Sequence, residues 1–405
     1  MSTSTPNKLR GLQVLLVLAG LALGISLSVA AAGRSADIDQ AARATDLVVA
    51  SQDLRAALGA ADAASVSAFL AGGVDQPDQR ARYGDALTEA SDSLRRASVN
   101  AEQGDAAVAV GDLLRLLPTY AGLIETARAN NRQQLPLGAA YLRSASTSLR
   151  TDIVARVDDL GDAGDSSFRS VVGSLTGGVG TASLAVAVVV LALLAIAQRY
   201  LQSRTRRRLD RGLVAAAVVV VLGVGWAASS ARASARSAAD GVVNGYDRLS
   251  ALSDIRADAY GQQSAATFAL VDRGGREGSN ATAASAANNV EARLDALGAE
   301  PLRAAWAAYR TQSDAATALD LGGNYAAARD RFTAPTSDAS APSGAFARFD
   351  AAVVEQVAEA ERRLAAGLDD AAGPVGRARI IGLVIGLVVA AAAAWGLQIR
   401  INEYR

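Results

Sequence analysis

Four stretches of this chain carry no charge at all. They are 11–32 (GLQVLLVLAGLALGISLSVAAA), 180–197 (GTASLAVAVVVLALLAIA), 212–229 (GLVAAAVVVVLGVGWAAS) and 380–397 (IIGLVIGLVVAAAAAWGL). Each comes close to the ~20 apolar residues a helix needs to cross about 30 Å of hydrocarbon. A buried helix of a soluble protein would explain one such run, but not four in a chain of 405 residues. The first run has a second reading. Lys8 and Arg10 precede it, and SVAAA at 28–32 offers small residues suited to signal cleavage. The third run ends in a similar AASSARAS and lies far from the N-terminus, which favours two retained membrane helices.

Arginine placement sets the expected orientation. The link between the second and third runs holds Arg199, Arg204, Arg206, Arg207, Arg208 and Arg211, and short basic loops stay in the cytoplasm. Lys8 and Arg10 place the N-terminus on the same side, as Arg400 and Arg405 do the tail. The expected division is a cytoplasmic N-terminus (1–10), spans at 11–32, 176–198, 212–229 and 375–398, an Arg-rich cytoplasmic loop (199–211) and a cytoplasmic tail (399–405). Two extracytoplasmic segments, 33–175 and 230–374, lie between the spans. With a net charge of zero, the loop arginines suit anionic lipid headgroups and not nucleic acid. Arg204, Arg206, Arg207 and Arg208 are also candidate contacts for a cytoplasmic partner.

Alanine, the strongest helix former, dominates both external segments, aromatic residues make up 4% of the chain, and no alternating strand pattern competes. In 33–175 apolar residues recur at helical spacing: Leu47, Leu54, Leu58 and Ala61; Tyr83, Leu87, Ala90, Leu94 and Ala97; Leu113, Leu117, Tyr120, Ile124 and Ala127; Leu142, Leu149, Ile153, Val157 and Leu160. Breaks fall at 72–77, near Gly104 and at 130–136. The pattern predicts an antiparallel four-helix bundle whose first and last helices run on into membrane spans. Segment 230–374 repeats the plan. Leu249 to Leu270 mark its first helix, about 281–298 and 301–321 its second and third, and Tyr309 matches Tyr120. The fourth helix begins after Gly322-Gly323 with an interruption at 333–344, or else that stretch is itself the tip, since Pro342-Ser-Gly-Ala resembles Pro136-Leu-Gly-Ala. The expected fold class is therefore all-α, with four transmembrane helices and two tandem extracytoplasmic four-helix bundles. Gly20-x-x-x-Gly24 and Gly382-x-x-x-Gly386 offer close contact between the first and last spans.

One phrase occurs in both bundles. Residues 53–56 read DLRA and 254–257 read DIRA, each midway along the first helix of its bundle. Arg55 and Arg256, with Asp53 and Asp254, are candidate ligand- or partner-binding residues, because a guanidinium can grip a carboxylate with two nitrogens. Helix-face charges and local ion pairs are the simpler explanation for all four. The loop tips at 72–79 and 274–279 are candidate docking surfaces.

Cysteine and histidine are absent and Lys8 is the only lysine, so thiol, imidazole and Ser-Lys chemistry have no residues to work with. Gly177-Gly178-Val179-Gly180 precedes a membrane run, not a soluble βα unit, and is no phosphate loop. None of the spans has a central charge of the kind a transport path requires. No enzyme activity, cofactor or metal site is expected. What remains is binding and relay, with an output that must pass to a separate protein because the cytoplasmic parts are short.

Each external half resembles the four-helix sensor domains of bacterial chemoreceptors and histidine kinases. The whole chain resembles the actinobacterial GlnX-like membrane proteins, in its four spans, its tandem external helices and the phrases Tyr120-Ala-Gly-Leu-Ile-Glu-Thr-Ala-Arg-Ala-Asn-Asn131 and Gly138-Ala-Ala-Tyr-Leu-Arg143. That resemblance implies amino-acid sensing, with an extracellular amino-acid-binding lipoprotein as the outer partner and a soluble Ser/Thr kinase as the inner one. A homo-oligomer is compatible with it. The alternatives are a direct chemoreceptor-like sensor and a cell-envelope scaffold without a ligand.

Overall fold

A computed structural model of the chain describes residues 5–72, 77–101, 104–176, 181–205, 210–237, 242–272 and 274–403. Among them the regular structure is all helical. The elements are α1 (Thr5–Leu70), α2 (Pro77–Asn100), α3 (Asp105–Arg132), α4 (Leu137–Ser148), α5 (Val154–Thr176), α6 (Thr181–Thr205), α7 (Arg211–Ser237), α8 (Asn244–Val271), α9 (Arg276–Leu297), α10 (Glu300–Leu321), α11 (Tyr325–Phe332) and α12 (Pro342–Glu403). A π turn, Leu149–Ile153, joins α4 to α5, so that α4 and α5 run on as one rod. The expected breaks at 72–77, Gly104 and 130–136 coincide with helix ends. In the second half the open question about 333–344 is resolved in favour of the tip. A short helix, α11, precedes this stretch, and the long fourth helix starts at Pro342 as α4 starts next to Pro136. Ser343 Oγ donates to the Ala334 carbonyl (2.7 Å) and Arg348 to the Ala339 carbonyl (2.8 Å), which folds the link tightly onto the start of α12.

The chain divides into two compact units. One comprises Met1–Ala42, Arg169–Val243 and Leu364–Arg405. Its helices bury Leu16, Leu23, Leu194 and Leu397 at their contacts, and glycines allow the closest approaches. A Cβ placed on Gly24 would lie 2.9 Å from Gly386 Cα, and one on Gly20 would lie 2.9 Å from the Ala390 nitrogen. Both motifs expected to give close contact are therefore at the antiparallel α1–α12 crossing. Gly212 meets Gly396 in the same way between α7 and α12. Outward, Val14, Leu18, Ile25, Val188, Ile196, Leu222, Leu383 and Leu387 are exposed. That surface would be costly in water and suits hydrocarbon. Asp210 caps α7, its Oδ1 accepting from Gly212 N–H at 3.0 Å.

Among the described residues, five helices are long and apolar enough to cross a membrane, α3 being one of them. α3 carries Asp112, Arg115, Glu125 and Arg128 along its length, and Asp112 pairs with Arg156 of α5 at 3.4 Å. It buries Leu113, Tyr120 and Ile124 in the core of the other compact unit and is a bundle helix.

That second unit comprises Arg43–Phe168 and Asn244–Arg363. Most of 33–175 and of 230–374 thus lies in one compact unit, as a first half (43–168) and a second half (244–363). Each half has its own alanine-lined core, with a fully buried tyrosine from its third helix, Tyr120 or Tyr309. The cores exchange residues at their edges: Phe268 of α8 packs into the core of the first half, and Leu70 of α1 into a core cluster of the second.

Candidate functional site

α1 and α8, the first helices of the two halves, lie side by side and parallel. Gly59 faces Tyr260, where an added Cβ would come within 2.9 Å of Tyr260 Cβ, and Asp62 meets Ser264. DLRA and DIRA sit just below this contact, on the backbones of these two helices.

The four charged residues of the repeated phrase make equivalent ion pairs. Asp53 accepts from Arg96 of α2 at 2.6 Å, and Asp254 pairs with Arg293 of α9 at 2.8 Å. Arg55 meets Asp158 of α5 at 3.0 Å, and Arg256 meets Asp350 of α12 at 2.7 Å. In each half the aspartate thus ties the first helix to the second, and the arginine ties it to the last. The four candidate binding residues are engaged within the protein.

The two arginines are not equally committed. Arg256 is 15% exposed, and its Nε and Nη2 both reach the Asp350 carboxylate (2.7 and 3.4 Å), which also accepts from the Tyr260 hydroxyl at 2.9 Å. Burial disfavours the guanidinium charge, but the hydrogen-bonded Asp350 more than offsets this and holds its pKa above the ordinary arginine value. Arg55 is 34% exposed with one contact.

These pairs reach across the halves. Arg256 lies 4.0 Å from Glu89 of α2, and the Arg55 charge acts on Asp258 of α8, which Arg293 also contacts at 3.3 Å. The result is two charge clusters flanking the α1–α8 pair, each built from both halves. Carboxylates outnumber arginines in both. Burial raises the pKa of Glu89, Asp158 and Asp258 above the ordinary carboxylate range, with nearby arginines pulling the other way.

The residue that sequence reasoning missed is Asp62. It is 3% exposed. Ser146 Oγ of α4 donates to its Oδ1 at 2.7 Å, and Ser264 Oγ of α8 donates to its Oδ2. One carboxylate thereby joins α1 to a helix of each half, and no arginine forms an ion pair with it among the described residues. Burial, and next the Asp62 charge, push the Tyr120 phenol well above its ordinary pKa. The signal was present in the sequence: Asp62 stands four residues after Leu58, on the apolar stripe, in a run of alanines.

Further ties stand at both ends of the α1–α8 pair. Phe168 and Tyr246 stack at 4.2 Å, with the Tyr246 hydroxyl donating to Asp165 (2.8 Å), and Arg143 pairs with Asp272 at 2.7 Å. Of the tip surfaces, residues 73–76 lie outside the described residues, whereas 274–279 are described. Beside the first tip is an open cavity of about 560 Å³ lined by Phe69, Asn131, Arg132, Gln134 and Leu135. Of the loop arginines, Arg204 is on the helical backbone of α6, while Arg206, Arg207 and Arg208 lie outside the described residues.

Residues 37–172 match the family described as an actinobacterial sensor domain. The match runs along α1 to α5 and includes Asp53, Arg55, Asp62, Arg96 and Asp158. It supports a sensor protein of actinobacterial type with a signalling role. No curated protein and no solved structure matches the chain.

Proposed function

We propose that this protein is a multi-pass membrane relay that passes an extracellular signal to a separate cytoplasmic protein. One observation carries the reading: α1 (Thr5–Leu70), the first helix of the segment matching a sensor domain, is continuous with the first apolar run, as α12 (Pro342–Glu403) is with the last. A helix of about 60 residues is roughly 90 Å long and passes a small displacement along its axis with little loss. The basic segments favour a cytoplasmic location for both termini and the 199–211 loop, and an external one for 33–175 and 230–374.

The resemblance to GlnX-like proteins supports a finer version, in which an amino-acid-binding lipoprotein delivers the signal and a Ser/Thr kinase receives it. The engaged state of Arg55 and Arg256 favours a protein partner over a small carboxylate held by these two residues, since a ligand would have to displace Asp158 or Asp350. The test is co-purification of the full chain from crosslinked membranes, with and without acidic amino acids. Recovery of an amino-acid-binding lipoprotein and a cytoplasmic kinase, varying with the amino acid, is the expected result. Recovery of envelope-assembly factors alone would replace the relay with a scaffold.

A further inference from the structure

Asp62 is a buried anion, 3% exposed, whose charge no ion pair answers among the described residues. A carboxylate taken out of water is costly unless a positive charge accompanies it. Its two serine bonds, from Ser146 of α4 and Ser264 of α8, satisfy lone pairs but bring no charge. Arg128 of α3, with its guanidinium over the Tyr83 ring at 5.4 Å, is paired with Glu125 at 2.8 Å.

A second observation concerns the oxygens around this carboxylate. Tyr83 of α2 and Tyr120 of α3 are 6% and 0% exposed. Both pack in one core with Leu58 and Ala61 of α1, which stand directly before Asp62 on that helix. Neither phenol hydroxyl has a hydrogen-bond partner, although both oxygens are shut off from solvent. Buried polar atoms are nearly always paired with protein, water or an ion, so two orphans in one core call for an occupant. Both hydroxyls also feel the Asp62 charge. Burial comes first in raising the two phenol pKa values, and Asp62 adds to it in each, at Tyr83 after Glu125. The phenols are therefore neutral. Ser65, one turn after Asp62, lies beside Tyr120 but gives its own hydrogen to the Asp62 carbonyl at 2.8 Å.

We propose that Asp62 and the hydroxyl oxygens of Tyr83, Tyr120, Ser146 and Ser264 form a site for one monovalent alkali cation, which ties the first half of the sensor to the second. The donor set decides the class of ion. Every group is an oxygen, which suits a hard cation. A single carboxylate balances one positive charge and leaves a divalent ion half compensated. Water would satisfy the hydroxyls and leave the Asp62 charge unanswered. Four of the five side chains belong to the first half and Ser264 to the second, so an ion here strengthens the α1–α8 contact. Coupling between the halves then follows the external concentration of sodium or potassium. The proposal does not depend on which partner delivers the signal.

The test uses the full chain in nanodiscs at fixed pH, with the variants Asp62→Asn and Tyr120→Phe. Melting temperature is followed up to about half-molar sodium or potassium chloride, against choline chloride at equal ionic strength so that general screening cancels. Hydrogen exchange of the α8 turn around Ser264 is the local readout. The wild type is expected to gain several degrees in an alkali salt, saturably and with slower exchange at Ser264, and to gain nothing in choline. Asp62→Asn is expected to melt near the wild type in choline and to ignore the alkali ions. Tyr120→Phe keeps the response but needs about tenfold more salt, as loss of one buried oxygen contact would give. A wild type that behaves alike in all three salts overturns the proposal. An undiminished response in Asp62→Asn, or an unshifted midpoint in Tyr120→Phe, overturns the location. A wild type that ignores both alkali ions but is stabilised on acidification overturns it in favour of a proton on Asp62.

Discussion

Replacing Asp62 by alanine removes a carboxylate that bonds to helices of both halves. Two hydroxyl bonds are lost, from Ser146 and Ser264, and a hydrogen bond to a charged group is worth about 1.5–3 kcal/mol. Both serines are nearly fully buried, so their hydroxyls lose a partner without gaining water. Against this, the variant no longer buries an anion without an ion-paired cation, a cost of several kcal/mol in the folded protein. The two terms leave a net loss of roughly 1–3 kcal/mol. Asp62→Asn behaves differently. It keeps the shape, one acceptor for a serine hydroxyl and a donor for a second, and sheds the charge, so its stability stays within about 1 kcal/mol of wild type.

The link between the halves is isolated by a double-mutant cycle of Asp62→Ala with Ser264→Ala. The expected coupling is about 1.5–3 kcal/mol, because the bond is charge-assisted and shielded from water. At about 1.4 kcal/mol per decade, that corresponds to amide exchange roughly 10- to 150-fold faster in the α8 turn around Ser264, provided the turn opens locally. Hydrogen exchange by mass spectrometry on the full chain in nanodiscs reads it directly. If the two substitutions add to within about 0.5 kcal/mol, Asp62 does not tie α1 to α8, and the reasoning fails.

Arg256→Ala strands Asp350 in a mostly buried site and is expected to cost about 3 kcal/mol, whereas Arg55→Ala breaks a half-exposed pair and costs under about 1 kcal/mol; urea unfolding of the two variants side by side distinguishes them. Gln134 takes φ 57° at the end of α3, where its N–H and that of Leu135 bond to the Asn131 and Asn130 carbonyls (2.9 and 3.0 Å), a helix stop that favours glycine. Gln134→Gly is expected to raise stability by about 0.5–1 kcal/mol, read as an increase in melting temperature.

The helices were legible because their signals are local. Ala-rich runs with apolar residues at 3.6-residue spacing, broken by Gly72, Gly104 and Pro136, fix where helices begin and end. The spans were legible from the absence of charge, and the Gly24–Gly386 contact from small residues four apart. The repeated DLRA and DIRA placed the two first helices in register. What could not be read is which helices face each other. Asp53 gives no sign that its partner is Arg96, nor Arg55 that its partner is Asp158, because each partner lies on a different helix with polar residues all along its surface. The joining of the halves was hidden for the same reason. Tyr260 and Gly59 are unremarkable in a helix until a neighbour's backbone approaches. The apolar character of α3, high enough to pass for a span, is a reminder that hydropathy averages over faces that the fold keeps apart.

The α1–α8 contact has a mechanical consequence. The two helices are parallel, so an axial slide of α1 against α8 moves every cross-contact in the same direction. A helix rises 1.5 Å per residue, and a hydroxyl–carboxylate bond loses most of its strength when stretched by less than that. A slide of even one residue step would therefore break the Ser264–Asp62 bond and carry Gly59 off Tyr260, which leaves that aromatic ring against a side chain with a Cβ. Displacements of a few tenths of an ångström are absorbed, and the halves move as one. Larger ones need a second set of contacts, with the intermediate positions unfavourable. The charge clusters on either side respond more gradually, since the attraction between Arg256 and Glu89 falls smoothly with distance. A short-range pin between two softer electrostatic contacts is an arrangement that resists small fluctuations yet yields to a sustained push, which is the behaviour a relay needs if thermal motion is not to be read as signal.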